Sequence, residues 1–97
     1  MIDLAPQHRA DVVRILEAHV PGFEAWAFGS RVAGTARRNS DLDLTLVGEE
    51  ELDWRVIEAL KDAFSESDLP FSVDVVDWRR TSPEFRRAVG DARERLL

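Results

Sequence analysis

The stretch "DLDLTLV", residues 41–47, is the feature that most restricts how this chain can fold. Polar and apolar residues alternate along it, which is typical of a β-strand with one buried face. Successive side chains of a strand point to opposite faces, so the three leucines are predicted to enter the core. Asp41 and Asp43 then lie together on the open face, roughly 6–7 Å apart along the strand.

These two neighbouring carboxylates are costly unless a positive charge holds them. Like charges at this distance repel each other and raise each other's pKa. A divalent cation between them removes that penalty, and oxygen-rich sites suit Mg²⁺. The pair therefore predicts a metal site on the open face of the strand.

A later strand supplies a third carboxylate. In "LPFSVDVVDW", residues 69–78, the apolar residues at positions 71, 73 and 75 share one parity, which predicts that they join the core. Asp74 has the opposite parity and is expected on the open face with Asp41 and Asp43. Asp77 has the buried parity, so we rank it below Asp74 as a metal ligand and expect it to end the strand. Three carboxylates from two strands can hold two metal ions, which clamp the attacking and leaving oxygens of an in-line displacement at phosphorus.

A Gly–Ser pair lies between a predicted strand over 23–28 and a possible helical turn over 30–35. Gly29 lets the backbone approach a ligand closely. Backbone N–H groups at a helix start favour phosphate oxygens, and the Ser30 hydroxyl adds a donor. Phosphate donors on one side and metal-binding carboxylates on the other predict a nucleoside triphosphate as the ligand.

The remaining elements follow from periodicity and capping signals. Apolar residues at helical spacing predict three longer helices, over residues 6–19, 49–67 and 83–97. The last of them is predicted to begin with Ser82 as its cap and Pro83 at its first position. The order of helix, strand, strand, helix, strand, helix predicts a small α+β (α/β-type) domain. Its mixed sheet of about three to four strands is expected to carry helices on one face.

Composition narrows the class of protein. The 97 residues are expected to form one domain, residues 1–97. The sequence has no cysteine, no apolar run of about eighteen residues and no visible secretory signal, so we expect a cytoplasmic protein without disulfides or a membrane span. The net charge of −6 disfavours direct nucleic-acid binding, leaves nucleotides with divalent metals open, and suits a basic protein partner.

The stretch "GSRVAGTARRNSDLDL", residues 29–44, resembles the signature of the DNA polymerase beta-like nucleotidyltransferases. In that signature ten residues separate Gly–Ser from Asp-x-Asp, as they do here, and Asp74 in "SVDVVD" resembles the third carboxylate of the family. Length and order of motifs resemble most closely the minimal nucleotidyltransferase (MNT) antitoxins, which pair with HEPN toxins, and the resemblance covers nearly the whole chain.

This resemblance implies a polymerase beta-like fold and a transferase that uses ATP and Mg²⁺, with two ions. Gly29 and Ser30 would hold the triphosphate. Asp41 and Asp43 would bind both metals, and Asp74 would complete one metal site and help to deprotonate the acceptor hydroxyl. The resemblance further implies that AMP is moved onto a tyrosine of a HEPN-type RNase toxin, which silences the toxin in a hetero-oligomer.

Several alternatives stay open at the level of the sequence. Arg31, Arg37 and Arg38 are phosphate contacts or ordinary surface charges, with Arg31 the best candidate because it follows Ser30. Ser40 is a candidate nucleotide contact or a turn residue that bonds the backbone. The alternative function is a non-catalytic antitoxin that neutralises its partner by occlusion. An aminoglycoside-type nucleotidyltransferase is a weaker alternative, because so short a chain would not enclose that acceptor without a second subunit.

Overall fold

Four strands form one mixed sheet in the computed structural model, which describes residues 2–97. The strands are β1 (Glu24–Phe28), β2 (Leu42–Val47), β3 (Val73–Asp77) and β4 (Arg93–Arg95), and their order across the sheet is β3-β2-β1-β4. β1 pairs antiparallel with β2 and with β4, whereas β2 and β3 run parallel. The predicted mixed sheet of an α+β fold is confirmed.

The leucines of the alternating stretch form the centre of the core. All three leucines of β2 are without exposed surface, as their alternation predicted. Helices α1 (Pro6–His19) and α3 (Trp54–Ser65) pack against this face. Their fully buried side chains are Val12 and Leu16 of α1 and Leu60 of α3. Burial of this apolar area is the dominant force that holds helices and sheet together. Within residues 2–97, none of the helices has the length and apolar character needed to cross a bilayer.

Helix α3 begins later than predicted. The predicted helix over 49–67 is wrong at its start, because the helix begins only at Trp54 and Asp53 is its N-cap. The preceding residue is tied elsewhere: the Leu52 N–H donates to Asp77 Oδ2 at 2.8 Å. Asp77 is 3% exposed and ends β3, so it does not lie with the open-face carboxylates. A contact between residues far apart in the chain thus overrides the local helical signal.

The last helix is also shorter than predicted. Ser82 caps α4 (Pro83–Val89) by accepting from the Phe85 N–H at 3.1 Å, as expected. The predicted continuation over 83–97 is wrong, because Gly90 adopts a φ of +51° and ends the helix. The chain then returns to the sheet as β4, whose pairing with β1 satisfies backbone groups at that edge.

The second face of the sheet is covered at one end and open at the other. Thr45 is only 1% exposed, because the chain after β3 returns over this face as a 3-10 helix (Trp78–Arg80) and then as α4. Phe28 of β1 meets Phe85 of α4 edge to face, with ring centroids 5.5 Å apart. Phe28 is in register with Asp43, so α4 covers the β1 side of this row, and the face is open on the other side of it, where β2 and β3 begin.

Candidate active site

Three aspartates lie together at the open end of this face. The parallel register of β2 and β3 pairs Asp43 directly with Asp74. Asp41 comes just before β2 with the same parity as Asp43, and it is exposed, as is Asp74. Asp43 therefore has one carboxylate neighbour across the sheet, Asp74, one strand spacing (roughly 4.8 Å) away, and one along its own segment, Asp41. The structure therefore brings together the three side chains that the strand patterns predicted to share a face.

The Gly–Ser pair meets this cluster from the other side. Phe28 ends β1 and pairs with Asp43, so Gly29 follows directly beside the carboxylate. Gly29 has φ +80° and ψ −155°, a conformation open essentially only to glycine. A Cβ at this position would collide with Asp43 Oδ2. Ser30 then begins the helical turn α2 (Ser30–Ala33), so its amide lies at a helix start, where backbone N–H groups attract anions.

The aspartate cluster has an excess of negative charge. Within residues 2–97, none of its three carboxylates accepts a hydrogen bond or forms an ion pair. Burial, and after it the charges of Asp74 and Asp41, raise the pKa of the Asp43 carboxyl above its ordinary value of 3.8. A cation at this position would therefore be bound favourably.

The donor chemistry of the cluster fits Mg²⁺. Carboxylate oxygens are the protein ligands that this ion prefers. Across residues 2–97, no group of three or more Asp, Glu, His or Cys side chains is close enough together to coordinate a metal ion as it stands. An ion bound between Asp41, Asp43 and Asp74 would thus have to draw the carboxylates together. In doing so it would relieve the repulsion that raises the pKa of Asp43.

Arg31 holds the loop that joins the two halves of the site. The residue is only 5% exposed, although it was the best candidate for a phosphate contact. The guanidinium donates to three backbone carbonyls, those of Ser40, Asp3 and Arg38, at 3.0, 2.8 and 3.3 Å. It also lies over the Phe71 ring, 4.3 Å from the centroid. Arg31 is therefore a positioning residue in this structure, and its direct contact with phosphate stays a prediction.

Ser40 has the turn role that the sequence left open. Its hydroxyl accepts from the Arg37 N–H at 2.7 Å, and its carbonyl accepts from Arg31. These bonds set the entry of the chain into β2, directly before Asp41. The side chains of Arg37 and Arg38 are exposed. A nucleotide contact of Ser40, Arg37 or Arg38 stays a prediction.

A comparison with protein families agrees with this geometry. The family described as "Polymerase beta, Nucleotidyltransferase" matches residues 8–97. The chain belongs to the polymerase beta nucleotidyltransferase family. The matched range includes the Gly–Ser pair and all three aspartates. The predicted family and the predicted enzyme class are confirmed, and the substrate of such an enzyme is a nucleotide.

Named relatives of this nucleotidyltransferase agree with the assignment. It is 49% identical over 88 residues to the "Probable protein adenylyltransferase MntA" of Haemophilus influenzae. The alignment covers 91% of this chain and 77% of the relative. A crystal structure of a toxin–antitoxin complex with AMP-PNP contains a chain with a TM-score of 0.69 and 26% identity, covering 92% of this chain and 72% of that one. The fold also recurs in one chain of a structure of the tri-AMPylated Shewanella oneidensis HEPN toxin in complex with MNT antitoxin. That match has a TM-score of 0.62 and 21% identity, and it covers 92% of this chain and 68% of that one.

A cleft of about 700 Å³ opens beside two of the aspartates of the nucleotidyltransferase. It lies between α3 and the edge strand β3, and Asp41 and Asp74 line one part of it. Its apolar walls include Leu69, Pro70 and Phe71, from the segment before β3. Sequence reasoning missed this cleft, because the residues that line it are spread along the chain and share no periodic pattern.

The raised pKa of Asp43 gives a stability prediction for the metal-free enzyme. At about pH 7, Asp43→Asn is expected to raise the Tm by a few degrees in the presence of EDTA. The ionised Asp43 carboxylate is less favourable in the folded chain than in the unfolded one. Asp43 therefore lowers the stability of the fold as the pH rises from the ordinary pKa of the carboxyl through its raised pKa in the folded chain. Asparagine carries no charge and is spared this cost. Thermal unfolding between about pH 3 and pH 8 measures the difference, which should vanish at the acidic end.

Asp62→Asn is the matched control for this prediction, since Asp62 is an exposed residue of α3 and the charge change is the same. Its effect on Tm should show no comparable pH dependence. An Asp43→Asn variant that is no more stable than wild type at any pH would contradict the electrostatic reading of the cluster.

Arg31 gives a second stability prediction. Arg31→Met is expected to lower the free energy of unfolding by about 2–4 kcal/mol, because three carbonyls lose a charge-assisted donor. Arg31→Lys should recover only part of the loss, since an ammonium cannot reproduce the planar fork. Urea denaturation measures both variants. Arg37→Met, at an exposed neighbouring position, should stay within about 0.5 kcal/mol of wild type, and equal losses at both positions would contradict the role of Arg31.

Proposed function

We propose that this nucleotidyltransferase moves AMP from Mg-ATP to a hydroxyl, carried by a tyrosine of a HEPN-type RNase toxin, and neutralises the toxin in this way. The observation that carries the proposal is the 49% identity to a protein named as a probable protein adenylyltransferase. The similar toxin–antitoxin complex with AMP-PNP supports an adenosine triphosphate as the nucleotide. Adenylyl transfer to a protein is therefore the activity that best fits this chain.

Each part of the candidate site has a role in this proposal. Gly29 and Ser30 hold the phosphates that leave, because Gly29 has no side chain between its backbone and the Asp43 carboxylate, and the Ser30 amide lies at a helix start. Asp41, Asp43 and Asp74 are the metal ligands. Bound Mg²⁺ would supply charge stabilisation for the phosphoryl oxygens. Repulsion from Asp74 and Asp41 helps to raise the pKa of the Asp43 carboxyl, and a bound cation would relieve that repulsion.

The transfer itself exchanges one bond at phosphorus. The acceptor oxygen forms a bond to the α-phosphorus, and the bond from the α-phosphorus to the oxygen that bridges to the β-phosphate breaks, so pyrophosphate leaves. Asp74 lies on the edge strand and is exposed, so we assign it the uptake of the hydroxyl proton. These 97 residues contain no tyrosine, so a tyrosine acceptor lies outside them.

The setting of this activity follows from the same features. We assign residues 1–97 to one nucleotidyltransferase domain that acts in the cytoplasm, where ATP and a toxin of RNase type would both be found. A net charge of −6 gives the chain little attraction for RNA. The same charge suits a basic protein partner, so the toxin and not its RNA substrate is the expected binding partner.

The proposal is tested with labelled ATP and a co-expressed HEPN-family toxin. With ATP labelled at the α-phosphate and a large molar excess of toxin, the label is expected on a toxin tyrosine, and RNase activity should fall as label appears. EDTA should prevent both changes. Occlusion predicts instead that toxin is neutralised only at equal stoichiometry and without label, and that outcome would overturn the proposal.

A further inference from the structure

The site has two sides, and the proposed nucleotide contacts use only one of them. The register places Phe28, Asp43 and Asp74 in one row across β1, β2 and β3. Gly29 and Ser30 follow Phe28 at the β1 end of this row. The cleft between α3 and β3 opens at the other end, where Asp74 lines it. The carboxylates thus separate the Gly–Ser backbone from the cleft.

The chemistry of the proposed reaction gives these two sides different tasks. Displacement at phosphorus requires the attacking and the leaving oxygens to lie roughly in line. If pyrophosphate leaves towards Gly29 and Ser30, the attacking hydroxyl has to arrive from the β3 side. The cleft is the opening on that side, and Asp74 is the carboxylate that the arriving hydroxyl would meet first.

We infer that the cleft between α3 and β3 is the acceptor entrance, which receives an aromatic side chain bearing a hydroxyl from a partner protein. This inference rests on the proposed function. Leu69, Pro70 and Phe71 offer an apolar wall for the ring, while Asp74 accepts the proton of the hydroxyl. The cleft volume of about 700 Å³ has room for such a side chain together with flanking residues of the partner.

The absence of cysteine from the chain allows a sharp test of the entrance. Ser65 is exposed at the end of α3 and lines the cleft, whereas the adjacent Glu66 is exposed and does not line it. Ser65→Cys and Glu66→Cys can each be folded, purified and then modified with a bulky uncharged maleimide before toxin is added. Unmodified Ser65→Cys reports any effect of the substitution alone.

Two measurements are made on each protein: binding of Mg-AMP-PNP, and kcat/KM for AMP transfer to the added toxin. Modified Ser65→Cys is expected to bind Mg-AMP-PNP as wild type does and to lose about tenfold or more in kcat/KM for the toxin. Modified Glu66→Cys is expected to match wild type in both measurements.

Three other results would overturn the inference. Equal transfer rates for the two modified proteins would mean that the acceptor takes another path. Loss of Mg-AMP-PNP binding in modified Ser65→Cys would assign the cleft to the nucleotide. If wild type binds Mg-AMP-PNP but labels no toxin, the proposed function is wrong, and the acceptor entrance that rests on it is wrong as well. This result can be told from the first two because the unmodified enzyme is then inactive.

Discussion

Replacing Asp41 and Asp43 together by asparagine is expected to reduce AMP transfer to the toxin by on the order of 10³-fold or more. The two carboxylates share the open face of the sheet; Asp43 is in register with Asp74, and its carboxylate occupies the place that a Cβ at Gly29 would take. Their removal takes away the negative charge that would hold Mg²⁺, so the developing charge on the phosphoryl oxygens is no longer stabilised. Transfer of α-phosphate label to the co-expressed toxin measures the loss.

The control is a double variant with the same charge change at exposed sites, Asp62→Asn with Asp91→Asn. It should label the toxin at the rate of wild type. The Tm of the catalytic double variant should not fall, because the repulsion that raises the pKa of Asp43 has been removed. Undiminished labelling by Asp41→Asn with Asp43→Asn would refute the assignment of the metal ligands. Neutralisation without label, at equal stoichiometry, would establish occlusion instead.

Gly29→Ala is the second change with a large expected effect. It should lower the free energy of unfolding by about 1–3 kcal/mol, since the φ and ψ of Gly29 are strained for any residue with a Cβ. It should also reduce AMP transfer by roughly 10²-fold, because the added Cβ collides with Asp43 Oδ2 and displaces that carboxylate. Chemical denaturation and the labelling assay measure the two effects separately.

Gly34→Ala separates strain from site geometry. Gly34 also has a positive φ, +82°, but a Cβ there would meet no atom within 4 Å. It should cost about 1–2 kcal/mol of stability and leave AMP transfer at the wild-type rate. Equal losses of activity in the two variants would show that Gly29→Ala lowers AMP transfer only by destabilising the fold. The close approach of Gly29 to Asp43 would then play no part in catalysis.

The elements that place the site were predictable because their patterns are local and short in period. Residues 41–47 alternate between the core and the open face with a period of two. Once the leucines are buried, Asp41 and Asp43 can lie only on the open face. The same parity argument identified Asp74 and set Asp77 aside, and the structure agrees on both positions.

The errors of prediction occurred where distant contacts compete with local propensity. The segment before α3 has a helical composition, yet its Leu52 N–H is bound by Asp77, which is 25 positions away. The segment after Gly90 reads as helix, yet it pairs with β1 as β4. In both cases a hydrogen bond or a strand edge supplied by another part of the chain decides the conformation, and no window of local sequence contains that partner.

The amino-acid sequence by itself determined the family, the open-face aspartates and the Gly–Ser pair, because strand parity and motif spacing are properties of consecutive residues. Only the tertiary structure decided how these parts meet. It set Gly29 against Asp43 and turned the guanidinium of Arg31 towards backbone carbonyls, although the sequence left phosphate open as its partner. It also opened a cleft beside Asp74, between an edge strand and a helix. The physical reason is that the packing of α3 and the register of three strands bring distant residues within contact, and these distances are set by the core as a whole.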